Sequence, residues 1–216
     1  MKALVLIQSS KLDTYINVFA AICKKYPNIS HIRILYITDD NQSIKKKDIR
    51  ERLVELSKEY PIYESAADVQ LTDDKTSINN LKTYIQEWDI VDVTGISKEL
   101  SLTVAAISIS YKHTKVCLIN WIKQFKQDEK WIITNDNHEY IDLLSSGDLS
   151  LLRKDYLQKK HVITAFAGVF VLLTITDILK MLFPSFFIPE VIINIFGLLI
   201  GVAGLYLAAI SLKSTS

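Results

Sequence analysis

The chain has 216 residues, with 25 Lys and Arg against 24 Asp and Glu and a net charge of +1. That balance supplies no strong field for duplex nucleic acid or for an acidic partner, and the length allows one ordinary domain plus a short extension. The charge is unevenly spread: residues 161–216 hold only Asp177, Lys180, Glu190 and Lys213, the composition of a charged domain followed by a membrane segment.

Ala3–Gln8 (ALVLIQ) is a continuous apolar run, as expected of a central parallel strand covered on both faces. It is too short for the apolar region of a secretion signal and no cleavage-like site follows it, so residues 1–160 are expected in the cytoplasm. Tyr15–Tyr26 carries Ile16, Phe19, Ile22 and Cys23 at helical spacing, and Ile32–Ile37 (IRILYI) is a second strand. Ile44–Tyr60 reads as a charged amphipathic helix with Ile49, Leu53 and Leu56 on one face. Ala67–Leu71 is expected as a short third strand. Thr76–Trp88 follows as a helix, with Ser77 as a possible cap and Ile78, Leu81, Tyr84, Ile85 and Trp88 inside. Asp89–Val93 is a fourth strand, Glu99–Tyr111 a helix and Lys115–Asn120 a fifth strand. This alternation implies right-handed βαβ units, hence an α/β class with a Rossmann-like, open, mainly parallel sheet. Lys130–Leu144 breaks the rhythm and predicts two short strands around an Asn-Asp turn, a β-hairpin appended to the sheet. Cys23 and Cys117, each in apolar surroundings with no CxxC spacing, are expected to be buried free thiols, and no metal-ligand set accompanies them.

Leu149–Lys160 reads as a basic helix leading into two apolar stretches. Val191–Leu212 is uncharged, and its 22 residues would span roughly 33 Å, enough for a hydrocarbon core of about 30 Å. The first stretch, from Val162, reaches that length by running to about Phe183. Phe183–Glu190 (FPSFFIPE) has the prolines and aromatic residues of a hairpin tip. Arg153, Lys154, Lys159 and Lys160 precede the first span and Lys213 follows the second, so both ends are expected in the cytoplasm. The alternative is a pair of core helices covered by a large partner. Gly197 and Gly201 form a GxxxG, extended by Gly204 and Ala208, a small face for helix packing within the hairpin or between subunits. Asp177 and Lys180, three apart, would either snorkel to the interface or line a polar path in an assembly.

Ligands of open parallel sheets bind beyond the carboxyl ends of the strands. The candidates there are Gln8, Ser9 and Ser10 after the first strand, Asp39, Asp40 and Asn41 after the second, and Thr94, Gly95, Ile96, Ser97 and Lys98 after the fourth. A glycine permits close backbone approach, and a helix start with a lysine beside it attracts anions, which together make a phosphate-binding corner. The alternative is an ordinary strand-to-helix turn, with Ser97 capping the helix and Lys98 solvated. The glycine patterns of dinucleotide-binding and P-loop sites are missing, as are GxSxG and HExxH. His31, His113 and His138 stand singly.

The stretch Asp92-Val93-Thr94-Gly95-Ile96-Ser97-Lys98, with Gln8-Ser9-Ser10 as the loop after the first strand, resembles the CRISPR-associated Rossmann-fold (CARF) sensor domains over about residues 1–145. Members of that family often carry a second glycine where this chain has Ile96. The resemblance implies a homodimer, or a higher homo-oligomer, that binds a cyclic oligoadenylate across its two-fold axis. The ligand is a messenger made by type III CRISPR complexes on recognising foreign RNA. Residues 1–147 would then be the sensing domain, 148–160 a basic juxtamembrane helix, and 161–213 two transmembrane helices, about 162–183 and 188–212, standing where such proteins often carry a nuclease. The expected protein is an antiviral effector of the cell inner membrane that alters membrane integrity or potential on binding its ligand, without a cofactor, metal or catalytic residue. Two alternatives remain: slow cleavage of the ring by Ser9, Ser10, Thr94 and Lys98, and a membrane-tethered scaffold that binds a partner protein.

Overall fold

A computed structural model describes residues 1–37, 44–122 and 138–182, together with residues 194, 195, 197, 198, 201, 202 and 204. The chain divides into two units, Met1–Arg153 and Lys154–Ser216.

In the first unit the strands β1 (Lys2–Ile7), β2 (His31–Tyr36), β3 (Gln70–Lys75), β4 (Ile90–Asp92), β5 (Lys115–Trp121) and β6 (His138–Asp142) form one sheet in the order β3-β2-β1-β4-β5-β6. All neighbours pair in parallel except β5 and β6, which are antiparallel, with Cys117 opposite Asp142 and Trp121 opposite His138. The helices are α1 (Leu12–Lys25), α2 (Lys46–Glu59), α3 (Glu64–Asp68), α4 (Leu81–Ile85), α5 (Lys98–Ser108) and α6 (Gly147–Leu182).

The apolar run of β1 is explained by two cores. Ala3, Val5 and Ile7 join Ile32, Ile34, Ile16, Phe19, Ile22, Ile49, Leu53 and Leu56 on the α1–α2 side. Leu4 and Leu6 join Leu35, Val91, Leu81, Ile85, Trp88, Leu100 and Val104 on the α4–α5 side. Alternate residues of one strand thus enter opposite cores, and each such large side chain contributes about 1.5–3 kcal/mol by leaving water. With helices on both faces, the sheet is Rossmann-like.

Two expectations are corrected. The third strand is not Ala67–Leu71: residues 64–68 are the short helix α3, and the strand begins at Gln70. Arg50 donates to the carbonyls of Ala67 and Val69 and fixes this helix-to-strand corner. β3 lies at the sheet edge and buries only Leu71, so it needs no apolar run. The helix expected over Thr76–Trp88 is only a 3-10 turn at Ile78–Asn80 followed by α4, and Ser77 makes no side-chain cap. Ser77, Asn79 and Asn80 favour turns because their side chains compete for the backbone; Ile78, expected inside, is 54% exposed. The first arm of the expected hairpin lies outside the described residues, and the second arm, β6, pairs with β5. Both cysteines are buried free thiols, pushed up to about 12 by desolvation.

Among the described residues one helix is long and apolar enough to cross a membrane by length and composition, over Gly147–Thr176, and none of its apolar window is buried. The basic stretch and the first apolar stretch are one helix, α6, because neither proline nor a turn sequence separates them. Asp177 and Lys180 fall within α6, and their side chains lie outside the described ones. Most of 188–212 lies outside the described residues too; Gly197, Gly201 and Gly204 are helical, and a Cβ added at any of them meets nothing within 4 Å.

Candidate functional site

β1 and β4 are central neighbours whose connections leave in opposite directions, β1 to α1 on one face and β4 to α5 on the other. The crevice between their carboxyl ends is the switch point of the sheet, and its walls are the turns Gln8–Lys11 and Val93–Ser97.

Tyr15, in the first turn of α1, ties these walls together. Its hydroxyl accepts from the N–H groups of Gln8 (3.2 Å) and Ser9 (2.9 Å) and donates to the carbonyl of Gly95 (3.1 Å). A fully buried tyrosine requires such partners, and here one oxygen satisfies three backbone groups from segments about 80 residues apart. Burial raises its pKa above the usual phenol value. The glycine at 95 follows from this packing, since a Cβ there would stand 2.3 Å from Tyr15 Cε1 and 2.7 Å from its Cζ. A second tie joins the same walls: Ser97 N–H donates to Gln8 Oε1 at 2.9 Å.

Asp92 forms the floor. It is fully buried, and its carboxylate accepts from Thr94 N–H (2.9 Å) and Thr94 Oγ1 (3.1 Å), while Thr94 Oγ1 accepts from Ile119 N–H of β5 (3.0 Å). Desolvation pushes the Asp92 pKa up to about 6, against the lowering effect of those hydrogen bonds. The buried Tyr140 hydroxyl of β6 faces this carboxylate without a hydrogen bond of standard geometry, and burial together with the nearby acid raises its pKa well above the usual value. The D-x-T-G pattern is therefore first of all a folding device: an acid that bonds the next turn, a threonine that bridges two strands, and a glycine that admits a ring.

Ser97 caps α5, accepting from Leu100 N–H at 3.3 Å, and Ser101 Oγ donates to Ser97 O at 2.9 Å. Lys98 is the first residue of α5; it is exposed and forms no ion pair among the described residues. A cation in the first turn opposes the helix dipole by about 0.3–1 kcal/mol, so helix stability does not explain it. Ser10 is exposed, Ile96 packs partly against the α4–α5 core, and Ser9 Oγ accepts from Lys11 N–H at 3.2 Å.

The structure thus brings Gln8, Ser9, Thr94, Gly95 and Ser97 together, but most of their polar groups are held within the protein, by Tyr15, Asp92, Ile119, Leu100 and Lys11, and Ser97 bonds Gln8 directly. The Thr94 hydroxyl, expected to meet a ligand, is occupied by Asp92 and Ile119. Ser10 and Lys98 are exposed at the rim, as are Gln8, Lys11 and Ser97. Asp39 lies outside the described residues. Sequence reasoning missed Tyr15 and the bonding role of Asp92. The available signal was a tyrosine at a core position of the first helix, which needs a hydroxyl partner. Among the described residues no group of three or more His, Cys, Asp or Glu is arranged to hold a metal. A separate open cavity of about 430 Å³ lies between α1 and β6, lined by Lys24, Lys25, His138 and Glu139 among others; it shares no residue with the crevice. No protein-family model matches the chain, and no curated protein matches it.

Proposed function

We propose that this chain is a membrane-tethered sensor whose switch-point crevice binds a cyclic oligoadenylate, and that binding acts on the membrane through the apolar C-terminal segment. The observation that carries the reading is the pair of turns cross-tied at the switch point, with Lys98 forming no ion pair among the described residues at the helix start, in the same chain as a long apolar helix. Rigid cross-ties hold the rim in place before ligand arrives, which lowers the ordering cost of binding. Lys98 and Ser10 supply a cation and a hydroxyl for phosphate and ribose. A ring of phosphates on a two-fold axis would meet two copies of this rim, which favours a homodimer or a higher homo-oligomer. The resemblance of the D-x-T-G-x-S-K turn to CARF domains supports the ligand class. A second span over about 188–212 would complete a hairpin, with the first unit and the C-terminus in the cytoplasm of an inner membrane. We read the site as a receptor: the Thr94 hydroxyl, one of the groups that could act on a ring, is held by Asp92 and Ile119.

The test is titration of the full chain in detergent micelles with cyclic tri-, tetra- and hexa-adenylate, followed by dye release from liposomes containing the protein. One ring should bind, and Lys98→Ala should weaken it at least tenfold, about 1.4 kcal/mol. Binding of none of the three rings overturns the ligand class; binding without ligand-dependent release overturns the membrane half.

A further inference from the structure

α5 begins at the crevice and ends at the segment that holds the start of α6. At its first end, Ser97 caps the helix while Gln8 and Tyr15 grip the preceding turn. Along its length, Leu100, Val104 and Ala105 are buried in the α4–α5 core, so its 11 residues, about 16 Å long, are set to move as one body. At its far end the chain turns through Ile109 and Tyr111, whose N–H groups donate to Ala105 O (3.0 Å) and Ser108 O (3.0 Å). Three carbonyls just beyond face one side chain: Arg153 Nη2 lies 2.6 Å from Tyr111 O, 2.7 Å from Lys112 O and 2.9 Å from Thr114 O. Arg153 is the seventh residue of α6 and the last of the first unit.

The root of α6 has a second anchor. Leu144 is buried in the same core as α5, and its N–H donates to Asp142 Oδ1 at 3.0 Å. The same carboxylate oxygen accepts from Val116 N–H of β5 at 3.3 Å. Leu144 fixes where the root sits; Arg153 fixes it to the exit of α5. A charged guanidinium shared among three carbonyls is a strong and geometrically demanding contact, and it follows a change in any of the three.

We propose that α5 is a mechanical link between the switch-point turn and the root of α6, and that Arg153 is its joint. Only the purpose of this link rests on the sensor reading; the coupling exists without ligand and is reciprocal, because coupling free energies are. A change at the turn alters the root, and a change at the root alters the turn.

The experiment is amide hydrogen exchange on the full chain in detergent micelles, comparing the unaltered chain with Ser97→Ala, Arg153→Gln and Arg153→Lys. Ser97→Ala should raise exchange at residues 147–153, and Arg153→Gln should raise it at residues 97–101, each by roughly fivefold or more. Arg153→Lys keeps the charge and should give an intermediate effect. Changes confined to the neighbourhood of each substitution overturn the proposal, and if Arg153→Gln fails to fold, Ser97→Ala and Arg153→Lys decide it. Cyclic tetra-adenylate is added as a separate arm. Reciprocal effects in a chain that does not bind it support the link and count against the ligand. Binding with only local effects supports the ligand and overturns the link.

Discussion

The turn after β4 and the start of α6 each carry a glycine, the two glycines before residue 160, and they meet different constraints. At Gly95 the backbone is outside the left-handed region, and what forbids a side chain is the Tyr15 ring pressed against the α-carbon. At Gly147 there is open space for a Cβ, but φ is +52°, a conformation that L side chains rarely adopt. The first glycine answers to a neighbour far away in sequence, the second to its own backbone. The difference teaches where each region keeps its order: the crevice in contacts between segments, the root of α6 in a local bend followed by anchors.

The largest effect is expected at the crevice. Gly95→Ala should cost about 3 kcal/mol by overpacking against a ring that cannot retreat, read as the denaturation free energy of the full chain in detergent. Adding Tyr15→Ala should recover part of that loss, because the obstacle is the ring. If the double variant is no better than the sum of the two single ones, packing is the wrong reason for this glycine.

Comparable in size is a pH effect that the crevice has through Asp92. Its pKa is raised from 3.8 to about 6 by burial, so between those values the folded chain holds a proton that the unfolded chain has released. The contribution to stability is therefore fully present below about pH 4 and is lost as pH rises through about 6, roughly 3 kcal/mol in all. Asp92→Asn should remove this slope, seen as a flatter plot of melting temperature against pH from 4 to 7. A slope that survives the substitution belongs to another group. The smallest effect is expected at the second glycine: Gly147→Ala should cost about 1–2 kcal/mol through backbone strain alone, and Gly147→Asn less, since asparagine tolerates that region. Equal losses for Gly95→Ala and Gly147→Ala, with no difference for asparagine, would remove the distinction between the two turns.

The central strands were legible because a strand buried on both faces must be apolar at every position, as ALVLI and ILY are. The order of elements and the location of the crevice follow from that alternation, and the Ser97 cap was readable from its place before a helix. β3 was not legible: an edge strand that buries one residue leaves no pattern, and the small residues beside it favoured α3. Nor was the role of Tyr15 legible, because helical spacing marks it only as a core residue and its carbonyl partner lies on a different element. The charge change near residue 160 suggested a joint between two segments. Charge alters what surrounds a helix without ending it, and α6 runs through.

The β3 edge of the sheet carries a consequence for crowding. Of QLTDDK only Leu71 is buried; Asp73 pairs with Lys46 at 2.8 Å and Asp74 accepts from the Tyr84 hydroxyl at 3.0 Å. Two copies meeting edge to edge would bring these acids against their counterparts, where like charges repel and strand pairing gains little. At any local density, pairing of copies through this edge of the sheet is thereby disfavoured.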